Sequence, residues 1–171
     1  MEWTSYRSRD DSGITYLRTE ESVMAAAVPR LIYPLTWCNQ VVQIEIAAHP
    51  MPWSAATLES CFAESYQNWG VMIEQELVAF TITQVTPAER TVMNIAVAPS
   101  WQRKGIAEQM LRAVLAEADT YQQAVFLEVR ETNVAALGLY RKIGFSEVGQ
   151  RPNYYPTSTG ERESAIVMRY P

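Results

Sequence analysis

The chain has 171 residues, 48% of them hydrophobic and 19% charged, with a formal net charge of -5. That length is enough for one domain with a buried core, and the acidic balance argues against a protein that works by covering nucleic-acid phosphates. It permits a basic partner, because complementary potentials favour encounter.

Residues 1 to 29 read as a polar N-terminal extension, mixed in charge and without sustained periodicity, a composition typical of disorder. Met24 is an alternative start. The least polar early stretch, "VMAAAVPRLIYPL", is broken by Pro29, Arg30 and Pro34, which excludes a signal peptide there. No run is long enough to span a bilayer, so no membrane is expected and the default compartment is the cytoplasm.

The domain proper is expected over 30–171. Thr36 to Ala48, with Val41, Val42, Ile44 and Ala48 at helical spacing, reads as a helix that "HPMP" ends. Ser54 is a candidate N-cap for a second helix that buries Leu58, Cys61 and Phe62. "WGVMIEQELVAFTITQV" reads as a hairpin turning at Glu74-Gln75-Glu76, and "RTVMNIAVA" as a further strand stopped by Pro99. From Gly105 to about Ala118 runs the clearest helix, with Ile106, Met110, Leu111, Val114 and Leu115 at the 3.6-residue period. "AVFLEV" (124–129) is nearly continuously apolar, as in a central strand covered on both faces. Alternation puts Val125, Leu127 and Val129 on one side of it, and Phe126 and Glu128 on the other. Asn133 caps a helix that buries Ala136, Leu137, Tyr140 and Ile143, and Gly144 closes it. "FSEVGQ" and "SAIVMRY" are the last strands, joined by the loop "RPNYYPTSTGERE". The pattern is a mixed α/β fold, a β-sheet carrying helices.

Two isolated cysteines, Cys38 and Cys61, and a lone histidine, His49, supply neither a metal-ligand set nor a nucleophile elbow, so no metal is assigned. The junction "NIAVAPSWQRKGIAEQML" (94–111) says more. A helix starting near Gly105 offers unpaired N–H groups and a positive dipole end, both suited to anions. Arg103 and Lys104 add charge, and glycine lets the backbone approach a diphosphate closely. A plain surface turn remains the other reading, since the pattern is neither a P-loop nor GxGxxG. Glu128 and Tyr140 each carry two readings as well. Glu128 is either a strand-end carboxylate reaching water or Arg130, or a buried base with a raised pKa. Tyr140 is either a half-buried aromatic on a helix or a proton donor.

"QRKGIA" after a strand ending "NIAV" resembles the Q/R-x-x-G-x-G/A signature of the GNAT family of N-acetyltransferases, with Ala107 at the second glycine. "FLEVRETNVAALGLYRKIGF" is similar to the second half of that family. "HPMPWS", "LEVRETN" and "RPNYYP" resemble the branch that acetylates the N-terminal alanine of a small-subunit ribosomal protein. The resemblance spans roughly Leu35 to Met168. It implies a mixed sheet with helices on both faces and two splayed central strands, between which the pantetheine arm of acetyl-coenzyme A passes.

It further implies a set of contacts and roles. The cofactor would meet Ile95, Ala96, Val97, Gln102, Arg103, Lys104, Gly105, Ile106, Ala107, Glu108 and Asn133. An N–H near Val97 would polarise the acetyl carbonyl, at a strand splayed near "AVAP". Glu128 becomes the general base and Tyr140 the general acid for the thiolate, with no acetyl-enzyme and no use for either cysteine. Trp53, Tyr154 and Tyr155 become contacts to the acceptor, a basic N-terminal segment of a ribosomal protein, bound by a monomer without direct nucleic-acid contact. Two rivals stay open: another acceptor on the same fold, or a silent acyl-coenzyme A sensor.

Overall fold

A computed structural model of the chain describes residues 6–9, 15–18 and 31–171, with side chains from Ile32 onward. The strands are β1 (Tyr6–Arg9), β2 (Thr15–Arg18), β3 (Leu31–Pro34), β4 (Tyr66–Ile73), β5 (Glu76–Val85), β6 (Glu89–Val97), β7 (Ala124–Arg130), β8 (Ser146–Pro156) and β9 (Arg162–Tyr170). The helices are α1 (Asn39–Ala48), α2 (Ala55–Ser60), α3 (Ile106–Thr120) and α4 (Val134–Ile143). The described strands form one sheet in the order β1-β2-β3-β4-β5-β6-β7-β9-β8. Every neighbouring pair is antiparallel except β6 and β7, which run parallel. A parallel pair needs a crossover, and α3 supplies it.

Two cores lie on opposite faces of this sheet. One gathers α3 and α4 over Val71, Ala79, Val97, Val125 and Leu127. The other gathers Val41, Ile44 and Leu58, from α1 and α2, over Phe80, Ile82 and Ala96. The expected arrangement of helices on both faces is therefore present. In α3, Ile106, Met110, Leu111, Val114 and Leu115 are all buried. Each such side chain contributes about 1.5–3 kcal/mol, so this face fixes the helix axis. Ser54 caps α2 by accepting the N–H of Thr57 at 3.1 Å, and Asn133 caps α4 by accepting the N–H of Ala136 at 3.1 Å. Gly144 ends α4 at φ 117.

Several sequence expectations need correction. The first helix starts at Asn39, not Thr36; Trp37 instead packs edge-on against Phe62, with ring centroids 5.4 Å apart. The hairpin turns on Glu74 and Gln75, which take positive φ without a glycine. Strand β7 alternates between buried and half-buried residues and is not covered on both faces, although the expected face of Val125, Leu127 and Val129 is the buried one. The stretch 151–156, expected as loop, continues β8, whose pairing with β9 is irregular between Arg151 and Tyr155. Strand β3 was not expected, because "LIYP" sits among prolines; it pairs with β4. Of the expected extension over 1–29, only β1 and β2 are described, and the rest lies outside the described residues.

Candidate active site

Strands β6 and β7 pair only from Glu89 with Ala124 to Val92 with Leu127. On the other side of β6, Ile82 faces Asn94 while Thr83 faces Val92, so Met93 is an extra residue, a bulge. A bulge bends and twists its strand. Here the bend coincides with the end of β6–β7 pairing, just before the "AVAP" where splaying was expected. Beyond it the strands diverge, while β7 stays paired to β9 as far as Arg130.

The gap opens into a cleft of about 940 Å³. Its walls include Ile95, Ala96, Val97, Gln102, Arg103, Gly105, Ile106, Ala107, Glu108, Glu128, Asn133, Tyr140, Trp53 and Tyr155. Two expected site residues, Lys104 and Tyr154, do not line it. Lys104 lies over the ring of Trp101 at 4.3 Å.

On the β6 side the strand edge offers main-chain groups. Ala98 donates its N–H to Val78 O at 2.8 Å, so by alternation Val97 turns its own N–H and C=O away from β5. The side chain of Gln102 donates to that Val97 carbonyl at 3.0 Å, tying the turn back to the strand. Gly105 then takes φ 78 as N-cap of α3, and no side chain caps the helix. The first helical N–H groups therefore keep their anion-binding capacity. A Cβ added at Gly105 would meet nothing within 4 Å. The space in front of this turn is open, as a cradle for a diphosphate requires. Glu108 would oppose an anion there, but Lys142 at 2.7 Å and Arg112 at 2.9 Å engage its carboxylate. Those hydrogen bonds hold it below the usual carboxylate range.

On the β7 side Glu128 is not the unpaired buried carboxylate that one reading required. Its side chain is 22% exposed, and Arg151 Nε lies 2.8 Å from Oε1. Tyr154 is bonded to the same carboxylate, which raises its phenol above the ordinary value. Tyr155 donates to the main-chain oxygen of Glu128 at 3.4 Å. Burial first, and then the Glu128 charge, push Tyr155 up to about 12. Tyr140, 7% exposed, is also pushed up to about 12, by burial and then by Tyr155. A phenol of that kind stays protonated throughout the physiological range, as a proton donor must.

Sequence reasoning missed Glu45, Trp101, Lys142 and Arg151 at this site. A signal for Glu45 existed: with Val41, Ile44 and Ala48 it occupies the i, i+3, i+4, i+7 stripe that a helix buries.

The chain matches the model of the Acetyltransferase (GNAT) family over residues 32–145. It is 41% identical over 139 residues to the ribosomal protein bS18-alanine N-acetyltransferase of Salmonella typhimurium, covering 81% of this chain and 90% of that one. The Escherichia coli enzyme of the same name is 43% identical over 129 residues, 75% of this chain and 86% of its own. Among solved structures, the ribosomal-protein-S18-alanine N-acetyltransferase from Escherichia coli superposes with a TM-score of 0.79 at 39% identity, covering 84% and 94% of the two chains. A GNAT acetyltransferase from Elizabethkingia anophelis with acetyl-CoA bound shares the fold, with a TM-score of 0.69 at 21% identity and coverage of 82% and 96%.

Proposed function

The chain belongs to the GNAT acetyltransferase family and is an N-acetyltransferase, and on that premise we propose that it moves the acetyl group of acetyl-coenzyme A to the N-terminal alanine of a small-subunit ribosomal protein. The observation that carries the reading is one cleft in which the open edge of β6, Glu128 and Tyr140 meet. It acts as a monomer in the cytoplasm on a basic N-terminal segment, to which the net charge of -5 is complementary.

The open turn fits the cofactor. The N–H groups of residues 105–108 and the Arg103 side chain would hold its diphosphate, and Asn133 and the unpaired edge of Ile95–Val97 would contact the rest of it. When bound, acetyl-coenzyme A supplies an activated acyl group; the remaining work falls to the chain. The Val97 N–H, turned away from β5, would serve as the hydrogen-bond donor for the acyl oxygen. An α-amino group titrates near 8, so only about a tenth of it is neutral at pH 7. Glu128, through a water, takes the proton that the attacking amine must lose. The Tyr140 hydroxyl would hold the proton that a coenzyme A thiolate needs. Trp53 and Tyr155 would flank the acceptor; Tyr154, which does not line the cleft, would act there only through the Glu128 carboxylate.

The test is a peptide assay with acetyl-coenzyme A and a mass readout. One peptide begins with alanine and carries basic residues downstream; a second has the same sequence with a blocked N-terminus. Modification of the first alone at its α-amine is expected. Modification of the blocked peptide alone, at lysine, would overturn the reading.

A further inference from the structure

Glu45 is a charged residue on the buried face of α1, 1% exposed, and no step above uses it. Its Oε1 accepts the main-chain N–H of Trp53 at 2.9 Å. Its Oε2 accepts the side-chain amide of Asn94 at 3.0 Å and lies 3.5 Å from His49 Nε2. Asn94 is itself buried, one residue past the bulge that opens β6. Glu45, His49, Trp53 and Asn94 all line the cleft.

The segment between α1 and α2, "HPMPWS", cannot hold itself in place. Pro50 and Pro52 have no N–H to give, and Pro50, Met51 and Pro52 are exposed. Of its remaining donors, His49 gives its N–H to the main-chain oxygen of Glu45 at 3.0 Å, and Trp53 gives its own to the Glu45 carboxylate. Both ends of the segment are thus fastened to one residue. Through Asn94 the same residue is fastened to the splayed strand. A buried carboxylate is a poor choice if stability alone is at stake, because a well-packed hydrophobe of similar volume serves as well or better. What a hydrophobe cannot do is fix a loop N–H and a strand amide at one point.

We propose that Glu45 is a positioning residue for the acceptor: it clamps the 49–53 segment to β6 and so sets where Trp53 stands at the mouth of the cleft. The acceptor part of this rests on the function proposed above. The test uses Glu45→Gln, which keeps the volume but offers one acceptor oxygen where two donors converge. The KM for the alanine peptide should rise about tenfold, the loss expected for one hydrogen bond to a charged group. Turnover should stay within about threefold and acetyl-coenzyme A affinity within about twofold. Hydrogen exchange of the Trp53 amide should quicken by at least about tenfold while the start of α3 is unchanged.

Asn94→Ala, which leaves the carboxylate and the Trp53 bond in place, covers the case in which Glu45→Gln does not fold. It should raise the peptide KM by about threefold at unchanged cofactor affinity. An unchanged peptide KM with only a lowered Tm, or cofactor affinity falling in step with KM, would overturn the proposal. If the unmodified enzyme acetylates no peptide, the acceptor reading fails. The exchange rates need no acceptor, and they still decide whether Glu45 holds the segment: no change at Trp53 means that it does not.

Discussion

On the function proposed above, the cofactor would meet mainly main-chain groups from one continuous stretch, whereas the acceptor would meet side chains that arrive from the segment after α1, from β7 and from β8. Residues 93–108 supply a bulge, an open strand edge, a tied-back turn and an uncapped helix start, all within sixteen consecutive positions. On the facing side, Glu128 comes from β7, its carboxylate engaged by Arg151 and Tyr154 of β8, while Tyr155 comes from β8 and Trp53 from the segment that Glu45 holds. A wall of backbone tolerates change in most side chains and is sensitive to backbone conformation. A wall of side chains behaves in the opposite way. Substitutions on the two sides should therefore separate cofactor affinity from turnover and acceptor use.

The largest expected effect is Glu128→Gln. If the carboxylate takes the acceptor's proton, kcat/KM should fall about 10²- to 10³-fold at pH 7, with acetyl-coenzyme A affinity unchanged by calorimetry. An unchanged rate would remove Glu128 from the chemistry. Tyr140→Phe comes next, with turnover down about tenfold or more and cofactor affinity kept. A large loss of affinity at unchanged turnover would make Tyr140 part of the cofactor side instead.

Gly105→Ala probes the backbone wall. The space for a methyl group is free, but φ 78 is unfavourable for any residue with a Cβ. The cost is about 1–2 kcal/mol, so the turn should relax and the Kd for acetyl-coenzyme A should rise about tenfold. The peptide KM should stay within about twofold. Equal loss on both sides would mean that the two walls are mechanically one.

The same division explains what the sequence disclosed. Continuous features leave local marks: Gly105 followed by Ile106, Met110 and Leu111 announces α3, and Asn133 with Gly144 brackets α4. The resemblance then attached a cofactor to the turn and roles to Glu128 and Tyr140, and the fold brings those residues to one cleft. Features assembled across the sheet left weaker marks. Pro152, Asn153 and Pro156 read as a loop, yet 151–156 continues β8, because its partner strand β9 overrides local preference. Arg151 could not be paired with Glu128 from spacing, since only the β7-β9-β8 order brings them together. The bulge at Met93 has no glycine to advertise it. Glu45 was legible in principle, being on the apolar stripe, but its partners at Trp53 and Asn94 come from elsewhere in the chain.

The smallest expected effect concerns pH. Tyr140 and Tyr155 are both raised to about 12, chiefly by burial. A raised phenol keeps its proton to higher pH, so neither group is lost as donor near its ordinary value of about 10. The acceptor amine, by contrast, loses its proton near 8. The rate should therefore climb with pH up to about 8 and then stay level, changing less than about twofold between pH 8.5 and 10. For stability the sign is the same: what burial of the two neutral phenols contributes is fully present below about 10 and is lost as pH rises through about 12. A rate that falls with an apparent pKa near 10, while the fold stays intact by circular dichroism, would show a donor on the acceptor side that is far less buried than Tyr140.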